Sequence, residues 1–287
     1  MQANVFHVRE ILRSYSIRPT KRKGQHFIVN PEIAKKQITY AGLSPKDLVF
    51  EIGAGLGGLT ETIANRGNSV IAIEIDERLI RLLKARFEGQ SNISVIRADV
   101  LSFNPRQVDK IISNIPYSIS SQITFKVLEL QFATAILTYQ IDFAKRMVAQ
   151  PGSRDYSRLS VNVYYRAEAE ILDRIPRDAF HPVPSVDSAF IRLKRRKPPF
   201  FVIDEEFFFE LLRAFFPYRN QFLRKVLKRF LRVKGLENLN VLEIIRNAEV
   251  DDVRIRDICP ESFAKLANEI RHTLNHPYQG AQSHQFH

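Results

Sequence analysis

Between Phe50 and Thr60 the chain passes from a strand pattern to a helix pattern across four glycines, Phe50-Glu51-Ile52-Gly53-Ala54-Gly55-Leu56-Gly57-Gly58-Leu59-Thr60. Before the turn, Leu48, Val49, Phe50 and Ile52 make a short apolar run of the kind buried on both faces of a parallel sheet. After it, Leu59, Thr60, Ile63 and Ala64 have helical spacing, which Gly67 ends. Gly53, Gly55 and Gly58 remove side chains that would block a close approach of main chain to a bulky partner, and they permit positive φ. Val70, Ile71, Ala72, Ile73 and Ile75 make a second buried strand. Its end carries Glu74, 19 residues beyond Gly55, where a carboxylate can accept hydrogen bonds from both hydroxyls of a ribose. The stretch points to a nucleotide-like cofactor. Gly53-x-Gly55-x-x-Gly58 also fits the dinucleotide fingerprint, so NAD and S-adenosylmethionine both remain open at this point.

The flanking sequence places this turn in a larger pattern. Val5, Val8, Ile11 and Leu12 have helical spacing, and Pro19 then forces an extended basic passage into Gly24-Gln25-His26-Phe27. Asn30 is positioned to cap the next helix, with Pro31 at its first position and Ile33, Ala34, Ile38 and Ala41 on its buried face. After the second strand come a helix over 77–87 and a third strand at Ile93, Val95 and Ile96 that ends in Ala98-Asp99. A fourth strand over 108–113 ends in Asn114-Ile115-Pro116-Tyr117, followed by a helix over 120–130, a fifth strand over 133–138 and a helix over 141–148. This βαβα alternation specifies a doubly wound parallel sheet that binds ligands at the carboxyl ends of its strands. Stretches 159–165 and 186–193 read as two further strands. Lys194-Arg195-Arg196-Lys197-Pro198-Pro199 is the linker candidate, and beyond it the pattern is helical to about 274. The expected division is an α/β domain over 1–196, a small all-α domain over 197–275 and a flexible polar tail over 276–287.

Forty-three basic residues against 31 acidic ones give a net charge of +12, the electrostatic footprint of a nucleic-acid binder. The charges cluster: eight basic residues and no acidic one lie between Arg213 and Lys234, and six basic residues against Glu10 alone lie between Arg9 and Lys23. Candidate RNA contacts are Arg18, Lys21, Arg22 and Lys23 in the arm, and Arg219, Arg224, Lys225, Lys228, Arg229 and Arg232 in the helical region. The last five recur at helical spacing opposite Leu223, Val226, Leu227 and Phe230. One cysteine, Cys259, is too few for a disulfide framework or a thiolate cluster, and no His/Cys/Asp group has metal-ligand spacing. No apolar run approaches the roughly 20 residues needed to span a bilayer, and residues 1–16 are too polar for a signal peptide. A cytoplasmic protein is expected.

Glu74, Asp99 and Asn114 fall at successive strand tips around one crevice. Asn114-Ile115-Pro116-Tyr117 is the sharpest element. An aromatic amine is a poor nucleophile because its lone pair is delocalised, and acceptors on its N–H groups help to localise that pair and stabilise the charge that develops as it attacks a methyl group. The Asn114 amide oxygen and the Ile115 carbonyl are two such acceptors, Pro116 stiffens the turn, and Tyr117 is placed to stack on a base.

Gly24-Gln25-His26-Phe27, Glu51-Ile52-Gly53-Ala54-Gly55-Leu56-Gly57, Asn114-Ile115-Pro116-Tyr117 and Phe180-His181-Pro182-Val183-Pro184-Ser185-Val186-Asp187-Ser188 together resemble the motifs of the rRNA adenine N6-dimethyltransferases, the KsgA/Dim1 family, in family order. The resemblance implies a Rossmann-like class I methyltransferase sheet, mostly parallel and seven-stranded, with a small C-terminal all-α domain. It implies S-adenosyl-L-methionine as cofactor and dimethylation of two adjacent adenosines in a hairpin near the 3′ end of small-subunit rRNA. The enzyme would act as a monomer, within an assembling 30S-type subunit. Carried over by position, the cofactor residues are His26, Ile28, Gly53, Glu74, Asp99 and Asn114, with Gly55, Ile75 and Val100 beside them. Asn114 doubles as the catalytic acceptor, flanked by Ile115 and Pro116, and Tyr117 and Phe180 sandwich the target adenine. His26 stands where many members carry Asn, as archaeal and eukaryotic-type relatives commonly do.

Three other readings compete. A large-subunit rRNA adenine methyltransferase of the macrolide-resistance type shares the Asn-Ile-Pro-Tyr motif, but the Val186-Asp187-Ser188-Ala189 continuation resembles the small-subunit enzymes more closely. A non-catalytic assembly factor on the same fold would be signalled by loss of Asn114 or the glycines, and all are present. An NAD-dependent oxidoreductase leaves the basic arms and the stacking aromatics unexplained.

Overall fold

The computed structural model describes residues 2–19 and 24–275, so Lys21, Arg22, Lys23 and the tail over 276–287 lie outside the described residues. In chain order the first elements are α1 (Gln2–Ser14), β1 (Phe27–Ile28), α2 (Pro31–Ala41), β2 (Leu48–Ile52), α3 (Gly58–Ala64), β3 (Ser69–Glu74), α4 (Glu77–Arg86) and β4 (Ile93–Arg97). Then come β5 (Lys110–Asn114), α5 (Ser120–Glu129), β6 (Thr134–Gln140), α6 (Ile141–Met147), α7 (Arg158–Arg166), β7 (Ala167–Ile175), β8 (Phe180–His181) and β9 (Ser188–Arg195). The chain closes with α8 (Glu205–Phe215), α9 (Leu223–Val233), α10 (Val241–Asn247) and α11 (Pro260–Asn275).

Seven strands form one sheet in the order β4-β3-β2-β5-β6-β9-β7. The first five are parallel, and β9 runs antiparallel to both β6 and β7. The chain builds outward from β2 to β3 and β4, then returns to β2's other side with β5. This reversal opens a crevice at the carboxyl ends of β2 and β5, the topological switch point at which open α/β sheets bind ligands. Local chemistry sets the helices that flank it. The Asn30 side chain accepts from the Glu32 amide at 3.0 Å to start α2, Gly42 ends that helix at φ 55°, and the Asp76 side chain starts α4 by accepting from the Arg78 amide. A separate two-stranded ribbon pairs β1 with β8, placing Phe27 opposite His181 and Ile28 opposite Phe180.

Residues 159–165, expected as a strand, are helical in α7, and the strand lies just beyond, in β7. Leu159, Ser160, Val161, Asn162 and Val163 are all buried, and a short run without a polar face cannot be assigned to strand or helix by periodicity. The neglected signals were Ser157, whose amide donates to Ser160 Oγ at 3.0 Å in the first turn, and the apolar–polar alternation Ala167-Glu168-Ala169-Glu170-Ile171. Between the two folded domains the sequence suggests a single division, at 196/197. The compact units divide the chain there and also at 148/149 and 165/166, so that Ala149–Tyr165 belongs with the segment from Lys197 onward.

The second unit has its own aromatic core. Asp204 caps α8 by accepting from the Phe207 amide at 2.9 Å, and the helix buries Phe207, Phe208, Leu211, Leu212 and Phe215. Phe215 meets Phe230 of α9 edge-on at 5.6 Å and Phe263 of α11 at 6.3 Å.

Candidate active site

The glycine turn wraps the tip of β3. The amides of Gly53 and Ala54 both donate to the Ile73 carbonyl, at 2.9 and 3.0 Å, and the Gly55 amide donates to Glu74 Oε2 at 3.1 Å. Gly53, Gly55 and Gly57 have φ of 72°, 57° and 83°. A Cβ on Gly55 would come within 3.3 Å of the Phe27 ring, and one on Gly57 within 2.9 Å of Leu83 and Phe87. Gly58, the third glycine of the dinucleotide fingerprint, begins α3, and a Cβ there would meet nothing within 4 Å. The constrained register is therefore Gly53-x-Gly55-x-Gly57, and the match through Gly58 is incidental.

Glu74, 7% exposed, fills its oxygens with main chain: Oε1 accepts from the amides of Ile75 and Asp76 at 2.8 and 2.9 Å, while Oε2 holds Gly55. Burial raises its pKa above the usual carboxylate value, against the pull of those three bonds. Glu51, 2% exposed under the turn, accepts from Thr60 Oγ1. Burial pushes its carboxyl from the ordinary 4.5 up to about 8, with the Thr60 bond opposing and the Glu74 charge assisting. The folded protein thus keeps a proton on Glu51 that the unfolded chain releases. Stability should fall as pH rises from about 4.5 to about 8, by at most about 1.4 kcal/mol per pH unit, and then level off. Glu51→Gln should flatten that slope in Tm measured from pH 5 to 8, whereas an unchanged slope would show that Glu51 is ionised in the fold.

Around this turn lies a cavity of about 330 Å³ whose lining includes His26, Gly53, Gly55, Glu74, Ile75, Asp99, Val100 and the four residues from Asn114 to Tyr117. A neighbouring cavity of about 310 Å³ shares His26, Gly53, Gly55 and Asn114, and adds Ile28, Glu51 and His7 and Ile11 of α1. Every cofactor residue expected from the sequence lines one or both. Asp99 also braces its own turn, with Oδ1 accepting from the Leu101 amide at 2.9 Å.

Asn114 closes β5 with its Oδ1 buried and without a hydrogen-bond partner. The turn after it is held in place by neighbours: the Ile115 amide donates to the Thr138 carbonyl at 3.2 Å, and buried Gln37 of α2 donates through Nε2 to the carbonyls of Ser113 and Ile136, both at 3.0 Å. Sequence reading missed Gln37, whose signal is a polar residue next to Ile38 on an otherwise apolar face. Gly24, which the sequence offers in its first motif without a role, is required by close packing. A Cβ at that position, where φ is 60°, would stand 2.8 Å from the Ser118 amide nitrogen and 2.9 Å from that of Tyr117, so the arm passes main chain against main chain.

Tyr117 bonds through its hydroxyl to Ser188 Oγ at 2.5 Å, and burial pushes its pKa up to about 12. The His26 ring stacks on it, with centroids 5.1 Å apart and planes at 27°, and His26 Nδ1 lies 2.6 Å from the Pro182 carbonyl. The expected sandwich of an adenine between Tyr117 and Phe180 is not the geometry found. Phe180 is 2% exposed and meets Tyr117 edge-on at 6.5 Å and 69°, because the β1–β8 pairing draws it inward under Ile28.

The basic residues divide. Arg18 is exposed after α1. In the helical unit, Arg219 Nη2 donates to the Arg154 carbonyl at 2.7 Å, and Arg224 pairs with Asp252 at 3.2 Å, so these two expected RNA contacts already have partners. Lys225, Lys228, Arg229 and Arg232 line a cleft of about 430 Å³. The acid-free run in sequence had concealed Asp252, which folding brings from 28 residues away. Among the described residues no group of three or more His, Cys, Asp or Glu could hold a metal, and no helix is long and apolar enough to cross a membrane.

Residues 18–268 match the family model described as ribosomal RNA adenine dimethylase. A protein of Methanosarcina acetivorans described as a probable ribosomal RNA small subunit methyltransferase A is 43% identical over 266 residues, 92% of this chain and 97% of its own length. Among solved structures, a dimethyladenosine transferase from Plasmodium falciparum superposes with a TM-score of 0.72 at 29% identity, covering 84% of this chain and 95% of that one. The 23S rRNA methyltransferase ErmE superposes with a TM-score of 0.64 at 29% identity, covering 85% and 99%.

Proposed function

The chain belongs to the ribosomal RNA adenine dimethylase family, and we propose that it dimethylates the N6 amino groups of two adjacent adenosines near the 3′ end of small-subunit rRNA, with S-adenosyl-L-methionine as methyl donor. The observation that carries this reading is the buried, unpartnered Asn114 Oδ1 beside the constrained glycine turn. A buried acceptor without a partner is uncommon and calls for a donor from outside the fold, which an exocyclic amine supplies. Bound S-adenosylmethionine supplies an electrophilic methyl group.

The protein's part is positioning and charge stabilisation. Asn114 Oδ1 and the Ile115 carbonyl accept the N–H groups of the adenine, localising the nitrogen lone pair and stabilising the positive charge on the attacking amine. Glu74 takes the ribose through the Oε2 lone pair that its three main-chain bonds leave, Asp99 takes an adenine amino group, and Ile75 and Val100 cover the faces of the cofactor base. Gly53, Gly55, His26 and Ile28 line the rest of its path. Tyr117, its ring held by Ser188 and backed by His26, is the stacking surface for the target base, and Phe180 supports that ring from the edge. Action as a monomer, in the cytoplasm and on an assembling small subunit, belongs to the same proposal.

Labelled methyl transfer to purified small subunits and to naked rRNA, followed by nucleoside analysis, tests it. Dimethyladenosine in small-subunit rRNA is the expected product. Label in large-subunit rRNA would favour the macrolide-resistance type, to which the ErmE likeness gives some weight. Absence of label with intact RNA binding would favour an assembly factor. Adenosylmethionine at about 100 times its Kd should raise stability by about 2.7 kcal/mol, and NAD should have no effect.

The free cations of α9 are the proposed docking face for RNA phosphates, adding affinity without choosing the base. Replacing Lys225, Lys228 and Arg232 together with Gln should lower the log–log salt slope of rRNA binding by about 0.7 to 0.9 per lost contact and spare adenosylmethionine binding. An unchanged slope would move docking to the arm around Arg18.

A further inference from the structure

α9 treats its cations unequally. Those at its ends are neutralised: Arg224 pairs with Asp252, and Lys234 pairs with Glu210. Those between are left without a carboxylate. Among the described residues Lys225, Lys228 and Arg232 form no ion pair, and Arg229 instead lies 4.4 Å over the Tyr218 ring. These four are also the cations that rim the cleft of about 430 Å³, a volume within the range of small-molecule sites.

The rest of the cleft is prebuilt, with an apolar floor and two further polar residues, Gln221 and Glu237, on its lining. Leu231 of α9 and Leu239 and Val241 of the following segment make the floor, and Glu237 is the one carboxylate on the lining. The segment that carries Leu239 is fixed by its own main chain. Gly235 turns it at φ 68°, the Leu236 amide donates to the Leu231 carbonyl at 2.8 Å, and the Leu239 amide donates to the Leu236 carbonyl at 3.1 Å. Asn240 then caps α10 by accepting from the Leu242 and Glu243 amides. A cleft held open by its backbone does not need to be ordered by a ligand, which favours binding.

We propose that this cleft receives one unpaired nucleotide of the RNA, its base on the Leu239–Val241 floor and its phosphates on the cations of α9. The proposal rests on the docking role of α9 and deepens it. Phosphates alone would need the cations but neither the cavity nor the apolar floor. An acidic peptide segment would match the cations but would set its carboxylates against Glu237, whereas a nucleotide offers that carboxylate amino or hydroxyl hydrogens. Splayed bases held on apolar surfaces and on arginine planes are the usual way in which proteins read single-stranded RNA.

The test uses the full chain with leucine and valine methyl groups labelled for NMR. Adenosine and uridine 5′-monophosphates should shift the Leu239 and Val241 methyl signals saturably, and inorganic phosphate should leave them in place. Leu239→Trp, which fills the cleft and keeps the cations, should weaken rRNA binding by about ten-fold with an unchanged salt slope, the size expected for one base contact. Val241→Phe serves the same purpose if Leu239→Trp lowers the Tm. Methyl shifts that phosphate reproduces, together with wild-type RNA affinity in the filled variant, would overturn the nucleotide site. The docking role would then stand or fall separately on the salt slope of the Lys225/Lys228/Arg232 triple variant. A glutamate-rich peptide that moves the same methyl signals while nucleotides do not would also overturn it.

Discussion

Asn114→Ala is expected to lower kcat by roughly 10²- to 10³-fold, the usual cost of removing one acceptor or donor aimed at charge that develops in the transition state. The variant should fold normally. Asn114 Oδ1 has no partner in the protein, so its removal strands no buried donor, and the Ile115 amide that secures the turn keeps its bond to Thr138. Single-turnover methyl transfer at saturating adenosylmethionine, with Tm as the control for folding, separates the chemical effect from a structural one. A kcat within a few-fold of wild type would remove Asn114 from the mechanism. So would an equal loss in Tm, which would show that the residue serves the strand tip and not the substrate.

Glu74→Ala should have the second largest effect, on cofactor affinity and on the turn together. Three main-chain amides, those of Gly55, Ile75 and Asp76, end on this carboxylate. Losing it leaves each without its acceptor, at roughly 1 to 3 kcal/mol for every one that water cannot reach. A ten- to hundred-fold rise in adenosylmethionine Kd, with a lower Tm, is expected by calorimetry. A lower Tm with unchanged Kd would make Glu74 a brace for the glycine turn and nothing more. Beside the ribose contact proposed for it, Glu74 anchors the amides of the turn, a duty that the sequence did not suggest.

How much of the site was legible depended on whether its signal was local. The glycine turn, the strand tips at Glu74, Asp99 and Asn114, and the cap at Asn30 are short-range devices in which residue type dictates backbone geometry, and each is found where the sequence put it. Gly57 in place of Gly58 could not be read from spacing, because the need for glycine there comes from Leu83 and Phe87 of α4. The inward turn of Phe180 comes from a ribbon joining residues more than 150 apart, as does the His26 contact with Pro182.

The order of elements from α2 to α6, the position of the glycine turn and the acid-free composition of α9 were determined by the sequence alone, since periodicity, glycine freedom and capping act within a few residues of their cause. Tertiary structure alone decided which α9 cations stay free, because the neutralising carboxylates, Asp252 and Glu210, arrive from other segments. It also decided that 159–165 is helix: five consecutive residues, Leu159 to Val163, are buried, and consecutive burial erases the pattern from which a strand or a helix is told. The protonation of Glu51 was likewise a tertiary outcome, since the pKa of a carboxyl depends on the water excluded around it.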